Sequence, residues 1–169
     1  MKAMDLADYI ILKADELKEP VSNLMLQKVM YFLNVMYLIS NNDKEMPLVS
    51  DSKFERWDYG PVIKDVYNEY SSYGSSKISV PSEHKKLVNG KGNNLEIKSF
   101  KLDVTKINQS IRRFIDENIG KLLKFKDPFI LVNESHKENQ WKVLNTNDNY
   151  NNEDSLAFYK IKKNQFWNR

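Results

Sequence analysis

Leu24-Met25-Leu26-Gln27-Lys28-Val29-Met30-Tyr31-Phe32-Leu33-Asn34-Val35-Met36-Tyr37-Leu38-Ile39 is the stretch that decides the fold class. Wound as a helix, it is apolar over most of its circumference, the pattern of a helix buried at a domain centre. Ser22 or Asn23 can cap its start, and Asn41-Asn42-Asp43 ends the pattern. Gln27, Lys28 and Asn34 interrupt it. A polar group on a buried helix must emerge at an edge or find a partner. The same interruptions leave the run short of the roughly 20 apolar residues that span a bilayer.

Working outward, Leu6, Ala7, Ile10, Ile11, Ala14 and Leu17 recur at helical spacing. They predict an amphipathic first helix over 4–17, stopped before Pro20. Downstream, Phe54-Glu55-Arg56-Trp57-Asp58-Tyr59-Gly60-Pro61-Val62-Ile63 reads as a short extended lead-in that turns sharply into a third helix. Gly60 supplies the unusual backbone angles, and Pro61 suits the first helical turn. Val62, Ile63, Val66, Tyr67 and Tyr70 form the stripe of that helix, which ends by Tyr73-Gly74. A fourth helix is predicted from about Val104 to Leu123. A fifth follows from Asp127-Pro128 to near His136, with Asp as cap and Pro at the first position. A last short helix is capped by Ser155.

Two segments differ in kind. Lys86-Leu87-Val88 and Leu95-Glu96-Ile97-Lys98-Ser99-Phe100 flank an Asn- and Gly-rich turn at 89–94, so 81–100 is expected to be a peripheral hairpin. Residues 145–154 hold five Asn and three acidic residues and read as a surface loop. The fold class is therefore mainly α: about five or six helices around the 22–40 helix, with a small β element. The 169 residues are expected to form one domain.

Composition narrows function. The 41% hydrophobic content supports a core, and the chain has no cysteine, which excludes disulfides and cysteine nucleophiles. The N-terminus has no apolar secretory core, so a cytoplasmic protein is expected. Formal charge is only +3. Residues 1–60 hold 7 basic and 10 acidic residues, and the basic surplus lies in the remainder. That spread disfavours nucleic acid as partner, because a nucleic-acid binder shows a denser basic patch. His84 lies in a polar stretch and is expected to be exposed. Two distant histidines give no metal-ligand spacing, so no metal or cofactor is implied. His136 has Ser135, Glu134 and Glu138 beside it, atoms suited to acid–base work. Proximity in sequence rarely makes a dyad, and no catalytic residue is assigned. Glu55, Asp58 and Asp65 are ordinary turn and helix-start acids.

Three motifs carry a family resemblance. Asn23-Leu24-Met25-Leu26-Gln27-Lys28-Val29-Met30-Tyr31-Phe32 resembles the "LQKLLYF" signature of the Panacea domain family. Trp57-Asp58-Tyr59-Gly60-Pro61-Val62-Ile63 with Val66-Tyr67 resembles its "W-x-x-GPV…VY". Ser135-His136 and Trp141 resemble its "(S/T)-H-x-x-x-x-W", although Gln140 stands where a proline is common. The resemblance spans roughly residues 4–142, with the motifs in the expected order. It implies a protein-binding antitoxin that neutralises a toxin encoded by an adjacent gene, directly or as an adaptor that delivers the toxin to a AAA+ protease. Prophage-associated proteins belong to the same family. The alternatives are a nucleic-acid-binding prophage regulator and, behind it, a hydrolase.

Trp57, Gly60, Pro61 and Trp141 are read as architectural, with Trp57 packed inward against the core. The candidate partner-binding residues are Gln27, Lys28, Tyr31, Tyr59 and His136. Gln27, Lys28 and Tyr31 take partners either inside the fold, in the Trp57–Tyr59 segment, or from another protein. Tyr59 is either a second pin for the corner or an exposed anchor of the kind found at interface hot spots.

Overall fold

The computed structural model describes residues 1–89 and 94–169. Seven α-helices lie among them: α1 (Ala3–Glu16), α2 (Asn23–Asn41), α3 (Lys64–Glu69), α4 (Gln109–Leu123), α5 (Pro128–Ser135), α6 (Asn139–Val143) and α7 (Asn152–Lys160). Four strands make two antiparallel ribbons, β1 (Glu55–Trp57) with β2 (Gly60–Val62) and β3 (His84–Asn89) with β4 (Leu95–Phe100). The fold is helix-dominated α+β.

α2 is the axis. Leu26, Val29, Met30, Phe32, Leu33, Val35 and Leu38 have no exposed surface. α1, α4, α5, α7 and β2 pack around it. Burial on every side follows from its all-round apolar sequence. Ser22 caps it, Oγ accepting from the Met25 N–H at 3.3 Å, and Asn42 ends it in the left-handed conformation (φ 54°). Aromatic rings fill the space at its middle: Tyr31 meets Phe54 and Tyr150, and Phe32 meets Phe166 and Tyr159, all edge to face.

The chain does not pass from Trp57 into a helix at Pro61. Gly60, at φ 86°, reverses it through Asp58-Tyr59 into a tight hairpin with Trp57 opposite Gly60 and Arg56 opposite Pro61. Pro61 suits this position because Arg56 turns its own N–H and C=O away, to Asp148 O (2.7 Å) and Asn147 N (2.8 Å). Helix α3 starts only after Ile63. The Asn-rich loop is consequently tied down on β1 rather than free: Tyr150 N donates to Phe54 O at 2.8 Å, and Tyr150 is buried. α7 begins inside that loop, capped by Asn151, while Ser155 is a buried interior residue of the helix. The fourth helix is split, because Asn108 caps α4 and the Val104–Lys106 turn precedes it. The turn expected at 89–94 falls on residues 90–93, which lie outside the described residues.

His84 is not exposed. It is buried at the base of β3, its Nε2 2.6 Å from Asp8 Oδ2 on α1, with Nδ1 3.2 Å from Glu69. The Tyr70 hydroxyl donates to the other Asp8 oxygen at 2.6 Å and accepts from Ser82 N at 3.2 Å. Burial raises the Asp8 pKa, opposed by the bonds from Tyr70 and His84. This cluster fixes the second ribbon to the body. Removing one member of a buried hydrogen-bonded set leaves the others unsatisfied. Asp8→Ala should therefore cost about 3 kcal/mol in urea unfolding and loosen amide exchange in β3. A loss within the ±0.5 kcal/mol typical of surface sites would contradict this anchoring.

Candidate functional site

The three motifs, far apart in sequence, meet at the β1–β2 hairpin. Lys28 and Gln27, both fully buried, project from α2 to its second strand. Lys28 Nζ donates to Pro61 O at 2.7 Å, and Gln27 Oε1 accepts from Ile63 N at 2.9 Å. Gln27 thereby satisfies an N–H at the entry to α3, where the chain offers no helical carbonyl to accept it. Lys28 is in no ion pair among the described residues. Burial without a counter-charge pushes its pKa well below the usual lysine value.

α5 and α6 close the hairpin from the other side. Ser135 is buried, and its Oγ donates to Val132 O at 2.7 Å. A Cβ at Gly60 would collide with that hydroxyl and press on Lys28 Nζ. Gly60 is thus required twice, for its backbone angle and for its missing side chain. Trp141 Nε1 donates to Trp57 O at 3.1 Å, and Arg56 Nε donates to Trp141 O at 3.3 Å. His136 stacks on the Trp141 ring at 3.6 Å, and Arg56 lies 4.8 Å from the same ring. Burial, with smaller contributions from the Lys28 and Arg56 cations, lowers the His136 pKa. Ser135 and His136 form no dyad, since the hydroxyl is committed to a carbonyl.

A second polar layer lies behind. Tyr31, also fully buried, donates to Glu138 Oε1 at 2.6 Å, and Ser155 and Gln140 reach Oε2 at 3.2 and 3.3 Å. Burial pushes the Glu138 carboxyl up to about 7, with these bonds opposing. None of Glu138, Gln140 and Ser155 is among the candidate partner-binding residues read from the sequence. Glu138 and Gln140 are marked there by their nearness to His136 and Trp141, and Ser155 as a helix cap.

Gln27, Lys28 and Tyr31 accordingly have internal partners and present no surface, and His136 is half-buried against Trp141. Trp57 is not packed into the core. It is half-buried, lies 5.0 Å from the Tyr67 ring, and donates through Nε1 to Glu55 at 2.9 Å, while Phe54 takes the inward position. Tyr59, at the hairpin tip, is 57% exposed and meets Phe129 of α5 edge to face at 5.8 Å. Phe129 and Ile130 are themselves exposed. The outer surface of the site is thus an aromatic patch, and its interior is a set of polar atoms bonded to one another and to backbone, apart from His136 Nε2 and the Tyr150 hydroxyl, which are buried with no hydrogen-bond partner among the described residues. No group of three or more metal-binding side chains occurs among the described residues, and no helix there is long and apolar enough to cross a membrane.

Comparison with known proteins finds a family whose model, described as "Antitoxin SocA-like, Panacea domain", matches residues 26–142. That span holds the second and third motifs whole and the first from Leu26 onward. The chain is also similar to the protein named Antitoxin SocA of Caulobacter vibrioides (strain NA1000 / CB15N), with 38% identity over 88 residues. That match takes in 52% of this chain and 45% of the relative, so it spans less than half the relative's length. No solved structure matches.

Two substitutions probe the interior. Gly60→Ala should destabilise by about 2–3 kcal/mol, from strain at positive φ and the collision with Ser135. A cost near zero would mean that the hairpin is loosely held. For Glu138, the folded pKa lies above the value of 4.5 expected when unfolded. Between those values the folded protein holds a proton that the unfolded chain has released, so stability falls as pH rises from about 4.5 to 7. Glu138→Gln removes this loss. The stability of the variant relative to the parent should rise across that window by a few kcal/mol, at about 1.4 kcal/mol per unit. Parallel pH–stability curves would contradict the assignment.

Proposed function

The chain belongs to the Panacea-domain family of SocA-like antitoxins, and from that membership we propose that it is itself an antitoxin, a protein-binding module that neutralises a partner toxin. The toxin is the product of an adjacent gene. Neutralisation takes place by direct contact or by holding the toxin for a AAA+ protease. Family membership is the observation that carries the reading.

The geometry supports a division of labour within such a module. Gln27, Lys28, Tyr31 and Ser135 hold the hairpin from inside, and Tyr59 with Phe129 and Ile130 forms the contact surface. Exposed aromatic side chains give large contact area for few rotatable bonds, and they recur at interface hot spots. His136 acts indirectly, by seating Trp141 under the hairpin.

The test is co-expression with the adjacent gene product. The parent chain should restore growth. The double variant Tyr59→Ala/Phe129→Ser, with unchanged circular dichroism, should lose neutralisation and weaken the purified complex by about thirtyfold or more, the scale of losing a hot spot worth about 2 kcal/mol or more. Neutralisation unaffected by this variant would remove the patch from the account, and toxicity unaffected by the parent chain would remove the antitoxin reading. Toxin half-life distinguishes the two routes: it shortens in protease-positive cells alone if the chain is an adaptor.

A further inference from the structure

The second ribbon has no role in the site described above. Its strands pair in register from His84 opposite Phe100 to Asn89 opposite Leu95. Among the described residues its extensive packing is between its own two strands, and every residue of β4 is exposed. Side chains alternate across a strand, so Leu87, Ile97 and Leu95 share one face, with Leu87 directly opposite Ile97. They are 68%, 70% and 67% exposed. Neither outer edge forms a backbone hydrogen bond with any other described residue. The base is rigid, because the buried Asp8–His84–Tyr70 cluster anchors it.

The charge of this segment is also particular. Residues 81–101 carry five lysines against two glutamates, a surplus of three that equals the net charge of the whole chain, +3. The rest of the chain is balanced. Lysines on an open edge have an ordinary reading, since they discourage edge-to-edge aggregation. That reading does not account for three large aliphatic side chains on one face. Like charge also opposes pairing of the ribbon with a second copy of itself.

We infer that the β3–β4 ribbon is a second docking surface, which accepts an extended acidic segment of a partner protein as an added strand, its apolar side chains on the face of Leu87, Leu95 and Ile97 and its carboxylates on the opposite face, beside Lys98. Strand addition takes affinity from main-chain hydrogen bonds and specificity from alternate side chains. An aliphatic face without aromatic rings favours a protein over a single-stranded nucleic acid, which stacks on aromatics. The surface is separate from the Tyr59 patch and does not depend on toxin neutralisation.

The probe is a fluorescent octapeptide alternating valine and glutamate, titrated into the full chain by anisotropy at low salt. It should bind and weaken as salt rises. A valine–lysine octapeptide should not bind. Leu87→Ser/Ile97→Ser, on the solvent face and away from the anchored base, should weaken binding about tenfold or more. Lys98→Glu should weaken it about tenfold or more, while both variants keep the parent's melting temperature. No binding of the acidic peptide, equal binding of the lysine peptide, or binding indifferent to Leu87 and Ile97 would overturn the inference. Tighter binding of a single-stranded oligonucleotide of about 20 bases would overturn it in favour of a nucleic-acid surface.

Discussion

A lysine amine with no access to water must find its acceptor inside the protein, and Lys28 finds the carbonyl of Pro61. The rest of the site depends on that constraint. The carbonyl must be brought to the middle of α2, so the chain has to fold back on itself just before it. Only a residue that tolerates positive φ makes that reversal at position 60. The reversed chain passes so close to α5 that only hydrogen fits where a side chain would stand, and Ser135 fills the space. Trp141 then covers Trp57 from α6, with His136 stacked on it. Each motif supplies what another lacks: an acceptor for the amine, room for the turn, and a lid over the strand.

The residues that identify the family are for the most part interior. They specify how the hairpin is built and held. Surfaces available to a partner lie elsewhere: at the hairpin tip, where Tyr59 meets Phe129, and along the β3–β4 ribbon. The two are held from different places, the first by α2 and α5 and the second by Asp8 of α1.

Much of the frame was legible in the sequence. The all-apolar α2, the stripe of α1 and the Asp127-Pro128 start of α5 rest on local spacing and capping, which a linear reading captures. What was missed depends on contacts distant in sequence. Pro61 suits both a helix start and a strand opposite an outward-facing Arg56, and only Asn147 and Asp148, some 90 residues on, decide between them. His84 sits in a polar stretch, and its carboxylate partner lies 76 residues earlier. Ser155 is a credible cap until Glu138 is seen to need its hydroxyl. α6 has five residues and no helical stripe to announce it. Trp57 followed the expectation that a large ring goes inward, but Phe54 took that place and the indole found Glu55. Of the candidate residues, the polar positions on α2 were found because a polar group on an apolar helix must be explained. Glu138 stood beside a histidine, and nothing local marked it as buried.

The central claim is that Lys28 is a sealed structural amine and not a surface contact. The direct measurement is the pH titration of its side-chain Cε and Nζ resonances in the folded protein by NMR. The account predicts a midpoint well below the usual lysine value of about 10.4, with the Ile63 amide protected from exchange over the same range. A midpoint at or above that value would contradict it, because the amine would then be solvated or paired with a carboxylate, and the hairpin would need another support.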